Sequence, residues 1–252
     1  MVKGLDRFTA SFADYADQYT LIGGVACELV LDEAGIPFRA TKDLDIVLSV
    51  EALSEEFVRA FWDFISEGEY EHQCKGMDRK QFYRFDKPKK DDFPFMLELF
   101  SRQPDALSLG DDSHLTPIPT DESVASLSAI LLSDDYYHFI QSGRRILAGV
   151  PIVGAEHLLC LKAIAWCELT ARRADGGRVD SKDIRKHLND VFRLFAVIDP
   201  EFQAELPATV REDLINFVEA AAGETVDLKQ LGVGGQSLEQ ILAELRRIYE
   251  LD

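Results

Sequence analysis

Little in this chain of 252 residues suits it to a zinc centre, a disulfide scaffold or a membrane. Its four cysteines, Cys27, Cys74, Cys160 and Cys167, form no CxxC pair, and three of them sit among apolar residues, the usual setting of a reduced, buried thiol. The five histidines form no zinc-type or Ser/His/Asp pattern. His72 and Cys74 are close, but a structural zinc site needs two further ligands. Cations are also scarce: 27 Lys and Arg stand against 45 Asp and Glu, a formal net charge of -18. That balance argues against broad adhesion to nucleic acid or to an anionic membrane, so a polyanionic partner must meet a defined site. No apolar run approaches the roughly 20 residues that cross a bilayer. The opening "MVKGLDRFTASFADYADQY" carries acids and no apolar core, so neither a signal peptide nor an anchor is expected there, and a reducing cytoplasm is the default location.

What is present is an ordinary globular composition, 46% hydrophobic and 29% charged, long enough for one large or two modest domains. Leu5, Phe8, Phe12 and Tyr15 recur at helical spacing, which predicts a helix over residues 5–17. A second helix is expected from the Gly23-Gly24 pair to the "EAGIP" stop. "DLDIVLSV" reads as a strand, and "SEEFVRAFWDFISEGE" returns to helical periodicity. Two aromatic-rich runs in "QFYRFDKPKKDDFPFMLELFSR" suggest a β-hairpin that offers the first strand its sheet neighbours. "RRILAGVPIV" adds a strand, and the segment before it, "SVASLSAILLSDDYYHFIQSG", reads as helical at its later end. From residue 154 four stretches are helical in pattern: "AEHLLCLKAIAWCELTARR", "SKDIRKHLNDVFRLFAVI", "FQAELPATVREDLINFVEAA" and "SLEQILAELRRIYEL". "GVGGQ" reads as a flexible loop. The expected organisation is an α/β core over residues 1–153 and a helical domain over 154–252.

The chemistry concentrates in the first strand. Side chains alternate along a strand, so Asp43 and Asp45 share one face while Leu44, Ile46 and Leu48 take the other. Like charges that close repel unless a cation lies between them, and hard divalent cations such as Mg²⁺ prefer carboxylate oxygens. Two solvated acids on an edge strand would show the same spacing. Upstream, Gly23-Gly24 would let backbone approach a phosphate at a helix N-terminus, where free amides and the positive dipole end attract anions. Glu98 is the only charge inside the apolar "FPFMLELF" and needs a partner: a shared metal, a salt bridge or solvent.

In order along the chain, "IGGVACELV", "RATKDLDIVL" and "MLELF" resemble the nucleotidyltransferase superfamily with the DNA-polymerase-β-like core, and more narrowly the AbiEii/AbiGii-type nucleotidyltransferase toxins, over roughly residues 19–195. The resemblance implies a mixed-sheet α/β core followed by a helical C-terminal domain. It also implies transfer of a nucleoside monophosphate from an NTP to an acceptor hydroxyl, with Mg²⁺ or Mn²⁺. By it Asp43, Asp45 and Glu98 would be the metal-binding and catalytic acids, and Gly23, Gly24 and Lys42 would lie beside the nucleotide. Lys162, Lys186 and Asp190 would contact it from the helical part. Two departures stand out. Gly24 replaces the serine that many members carry, and Glu98 replaces the commoner aspartate. An RNA acceptor such as tRNA would meet the basic clusters "KGMDRK" and "KPKK", and a toxin of this type would have a cognate antitoxin. Two other classes remain: a degenerate nucleotide-binding protein without turnover, and an interaction module that docks another chain through the "SLEQILAELRRIYEL" helix.

Overall fold

The computed structural model describes residues 2–75, 81–103, 115–117, 128–203 and 205–251. The chain divides into two compact units, one of residues 1–29 and 38–153, the other of residues 30–37 and 154–252. The side chains of His72 and Cys74 lie outside the described residues, as does most of the basic cluster "KGMDRK", at 76–80.

The first unit opens with α1 (Leu5–Ser11), which gives way at Phe12 to a 3₁₀ turn, Ala13–Tyr15. The expected helix is therefore shorter than residues 5–17. Phe8 and Phe12 are wholly buried in an aromatic cluster with Tyr19, Phe57, Phe61 and Phe64, so tertiary packing overrides the helical spacing there. β1 (Tyr19–Ile22) leads directly into α2 (Gly23–Glu33). β2 (Asp43–Leu48) and α3 (Glu55–Gly68) follow, and the Ser54 hydroxyl caps α3 by accepting from the Phe57 amide at 3.2 Å. Next come β3 (Glu71–Lys75), β4 (Gln81–Asp86), β5 (Met96–Ser101), β6 (Leu115–Pro117), β7 (Ser128–Leu131) and α4 (Asp134–Ser142). The unit ends with β8 (Arg144–Leu147) and β9 (Val150–Val153).

These strands form one mixed sheet in the order β3-β4-β5-β2-β1-β9-β8, with β7 beside β5 and β6 beside β7. β2 lies between β5, to which it is parallel, and β1, to which it is antiparallel. Of the expected hairpin, β4 and β5 do pair antiparallel, but only β5 touches β2; its other neighbour, β1, is a four-residue strand buried almost throughout and so shows no alternation in sequence. The single strand expected in "RRILAGVPIV" is two: Leu147 pairs with Val150 around Ala148 and Gly149, both with positive φ (50° and 82°), as a two-residue hairpin turn requires.

The second unit carries α5 (Ala155–Ala174), α6 (Ser181–Phe195), α7 (Ala208–Ala221) and α8 (Leu238–Ile248). α7 starts after Pro207, later than its sequence pattern, because a proline disfavours helical geometry in the residue before it. Ser237 and Gln240 close a capping box at the head of α8. Ile241, Leu242, Leu245 and Ile248 on α8 are buried, and the hydroxyl of the buried Tyr249 donates to the Glu156 carbonyl at 2.6 Å. Each such apolar side chain stabilises by about 1.5–3 kcal/mol. The apolar face of α8 is thus buried. Among the described residues no helix is long and apolar enough to cross a membrane. Cys27 and Cys160 are buried and outside any disulfide, and Cys167 is half-buried.

Burial pushes the His157 imidazole, beside Phe202 in the second unit, down to about 4. The unfolded chain therefore binds the extra proton between pH 6.5 and 4, and stability contributed by neutral His157 is present above that window and lost as pH falls through it. The His157→Phe chain is expected to show a shallower loss of melting temperature between pH 6.5 and 4 than the parent; parallel pH–melting curves for the two check this.

Candidate functional site

The sheet register assembles the candidate site. In β2 the half-buried Asp43 and Asp45 alternate with Leu44 and Ile46, which are fully buried on the opposite face. Parallel pairing sets Asp45 directly beside Glu98 of β5, and antiparallel pairing sets Glu98 beside Arg84 of β4. On the other flank Asp45 pairs with Ile22, the last residue of β1. One row across four strands therefore reads Arg84, Glu98, Asp45, Ile22, with Asp43 two residues along β2 on the face of Asp45.

Glu98 is only 8% exposed and its partner is Arg84: Oε1 accepts from Nε at 2.7 Å and also from Nη2. The charge that the sequence left unexplained is met by a guanidinium. Among the described residues no three or more His, Cys, Asp or Glu side chains form a group that could hold a metal ion. A dedicated cage is not what Mg²⁺ requires, however, since it is usually held by one or two carboxylates together with substrate phosphates and water.

Gly23 connects this row to α2. Its φ is +67°, a conformation that side-chain-bearing residues avoid, and it turns the chain from β1 into the helix. Because Ile22 pairs with Asp45, Gly23 comes back against that aspartate: a Cβ built at Gly23 would lie 1.9 Å from Asp45 Oδ2. Both conformation and contact demand glycine. At Gly24 the neighbours are different, for a Cβ there would lie 2.6 Å from Thr41 Oγ1 and 3.8 Å from Arg39 Nη2. A threonine hydroxyl and a guanidinium thus lie beside Gly24 in the first turn of an 11-residue helix, and the residue before it, Gly23, lies against the Asp45 carboxylate.

Thr41 and Arg39 were not singled out from the sequence. They stand in "PFRATKDLD", which has no periodicity, and only the return of the chain beside α2 brings them to Gly24. Lys42 is exposed, with its ammonium 5.9 Å from the centre of the Phe95 ring.

Lys162, Lys186 and Asp190 belong to the second unit. Asp190 is fully buried; Lys162 Nζ from α5 lies 3.8 Å from its Oδ2, and Arg193 Nη1 donates to its Oδ1 at 3.4 Å. Lys162, at 5% exposure, is itself buried. Burying a carboxylate without such partners would be strongly unfavourable. The face expected to carry an ion-pair ladder is graded rather than uniform: Lys182 is exposed, Lys186 half-buried and Asp190 internal.

No protein-family model matches the chain, and no curated protein matches it. Among solved structures it is similar to an H. pylori protein provisionally called a nucleotidyltransferase, at 14% identity and TM-score 0.40, over 98% of this chain and 91% of that one. JHP933 from Helicobacter pylori is similar at 16% identity and TM-score 0.40, over 98% and 88% of the two chains. The Megavirus polyadenylate synthase is similar at 8% identity and TM-score 0.38, over 88% of this chain and 36% of that one. Likenesses this distant leave the chemistry to be read from the residues themselves.

Proposed function

We propose that the first unit is a nucleotidyltransferase that moves a nucleoside monophosphate from an NTP to an acceptor hydroxyl. The observation that carries this reading is the contact between Gly23 and Asp45, which joins a helix N-terminus suited to phosphate with a carboxylate row suited to a divalent cation. Asp43 and Asp45 fit Mg²⁺ or Mn²⁺ by their oxygen donors and shared face, and Glu98 stands next to Asp45 in register. When bound, the cation would neutralise charge developing on the phosphates. The Gly23 and Gly24 amides, the Thr41 hydroxyl and the Arg39 guanidinium would hold the triphosphate. In the reaction the acceptor oxygen bonds to the α-phosphorus, the bond from that phosphorus to the β-bridging oxygen breaks, and pyrophosphate leaves with the electron pair. A carboxylate of the row takes the hydroxyl proton.

The acceptor that best suits this reading is RNA, reached through the Lys87, Lys89 and Lys90 segment before β5, in an enzyme of the toxin–antitoxin kind. In this structure Lys87 and Lys89 pair with Glu71 and Glu69. Incubating the chain with each α-labelled NTP, Mg²⁺ and total RNA or total protein tests the reading. Label in RNA with release of pyrophosphate is expected, and label in neither pool defeats it.

The Arg84–Glu98 pair favours a second reading, a protein that binds nucleotide without turnover, since it occupies the third acid with a cation of the chain's own. Calorimetry with Mg²⁺-NTP beside a pyrophosphate assay separates the two.

The reading gives Thr41 a specific task. Thr41→Val keeps the shape and removes the hydroxyl, and a hydrogen bond to a charged group contributes about 1.5–3 kcal/mol. The variant is expected to raise the KM for NTP by about tenfold or more with its melting temperature unchanged, as steady-state kinetics and a thermal melt would show.

A further inference from the structure

The row of side chains across the sheet has two different ends. Ile22 of β1 and the Gly23 turn lie on one side of Asp45, and Glu98 of β5 and Arg84 of β4 lie on the other. Adjacent strands are about 4.8 Å apart, so Arg84 stands roughly 10 Å from Asp45 along the row, on the flank away from α2. With the triphosphate on the Gly23 and Gly24 amides, pyrophosphate leaves toward β1. Attacking and leaving oxygens lie roughly in line across the phosphorus, so the acceptor enters over β5 and β4. Arg84 stands at that entry.

Its guanidinium is anchored on one edge and open on the other. Both bonds to Glu98, from Nε and Nη2, end on the single oxygen Oε1, and Nη1 makes no hydrogen bond among the described residues. The Arg84 side chain keeps 36% of its surface exposed, whereas that of Glu98 keeps 10%. An arginine oriented in this way loses little further entropy when its remaining donors meet an anion. The surrounding charges leave an anion no other partner. Arg84 and Asp86 alternate onto one face of β4, and Asp86 pairs with Met96, which pairs in turn with Asp43. The two rows thus present Asp43, Asp45, Asp86 and Glu98, with Arg84 as their single cation among the described residues. An anionic acceptor is repelled by every charge on these rows except Arg84.

We infer that Arg84 binds the acceptor and not the NTP, and that the acceptor carries an anionic group one sugar away from its attacking hydroxyl, as the last phosphodiester of an RNA 3′ end does. The 3′ hydroxyl of a ribose and its own 5′ phosphate are separated by about the spacing of neighbouring strands, so a hydroxyl at Glu98 brings that phosphate to Arg84. The inference rests on the transfer proposed above and assigns its acceptor side.

The test uses two RNA oligonucleotides that differ only in their last linkage, a phosphodiester in one and a neutral methylphosphonate in the other, given to the full chain with Mg²⁺-NTP. In the parent the neutral linkage is expected to raise the KM for the oligonucleotide at least tenfold and to leave the KM for NTP unchanged. Arg84→Gln should raise the same KM at least tenfold on the charged oligonucleotide and no longer distinguish the two linkages, and Arg84→Lys should recover part of the loss. Because Arg84→Gln leaves the Glu98 carboxylate buried without its cation, the Arg84→Gln, Glu98→Gln chain is compared with the parent by fluorescence anisotropy of the labelled oligonucleotides in EDTA. It should bind the charged one at least tenfold more weakly than the parent does, and both alike. No linkage effect in the parent, or one that persists in the arginine variants, overturns the inference while label in RNA leaves the transfer standing. A parent that labels protein and not RNA overturns it too, and a parent that labels nothing defeats the transfer and the inference together.

Discussion

Replacing Asp43 and Asp45 together by asparagine is expected to reduce Mg²⁺-dependent nucleotide transfer by roughly a thousandfold or more, with little change in the melting temperature. The size follows from what the pair would supply: a cation between carboxylate and phosphate is worth several kcal/mol at the transition state, and each 1.4 kcal/mol is about tenfold in rate. The retained stability follows from position. Both side chains are half-buried on the face opposite Leu44 and Ile46, which carry the packing of β2. Asparagine keeps the volume and one acceptor oxygen of aspartate while removing the charge. Transfer assayed with labelled NTP, alongside a thermal melt, checks both halves. Unchanged transfer would remove the two aspartates from the mechanism, whereas a collapsed melt would make their role structural.

Gly23→Ala should have an effect on transfer nearly as large, by a different route. The new methyl group would overlap Asp45 Oδ2, 1.9 Å away, so the carboxylate or the first turn of α2 must move. The positive φ adds a penalty of about 1–2 kcal/mol for a residue with a side chain. The expected result is a chain that still folds, melts several degrees lower and has lost most of its transfer and its Mg²⁺-NTP binding. Calorimetry and a melt measure these together. Nucleotide binding equal to that of the parent would show that Gly23 serves the turn from β1 into α2 and not the nucleotide.

Much of this was legible from local pattern. Alternation in "DLDIVLSV" placed the two aspartates on one face, and β2 carries them so. The helical spacings after residue 154 correspond to α5, α6, α7 and α8, because burying one stripe of a helix imprints a period that the sequence shows directly. What escaped was contact across the fold. Arg84 sits in an aromatic run like many others, and its bond to Glu98 depends on the register of β4 against β5. Thr41 and Arg39 lie in a stretch with no period, so no spacing marks them. The pairing of Asp190 with Lys162 crosses from α6 to α5, whereas sequence spacing reveals only neighbours three or four residues apart on one helix.

The sequence by itself determined the helices after residue 154, the shared face of Asp43 and Asp45, and the glycine pair at the head of a helix, since each is a matter of backbone preference and of side chains within one turn or one strand. Only the tertiary structure decided that β1 returns Gly23 onto Asp45, that Glu98 is paired with Arg84, and that Asp190 meets Lys162 across two helices. Those contacts join residues far apart in the chain, and they arise from strand register and helix packing, which satisfy the whole core at once rather than any one segment.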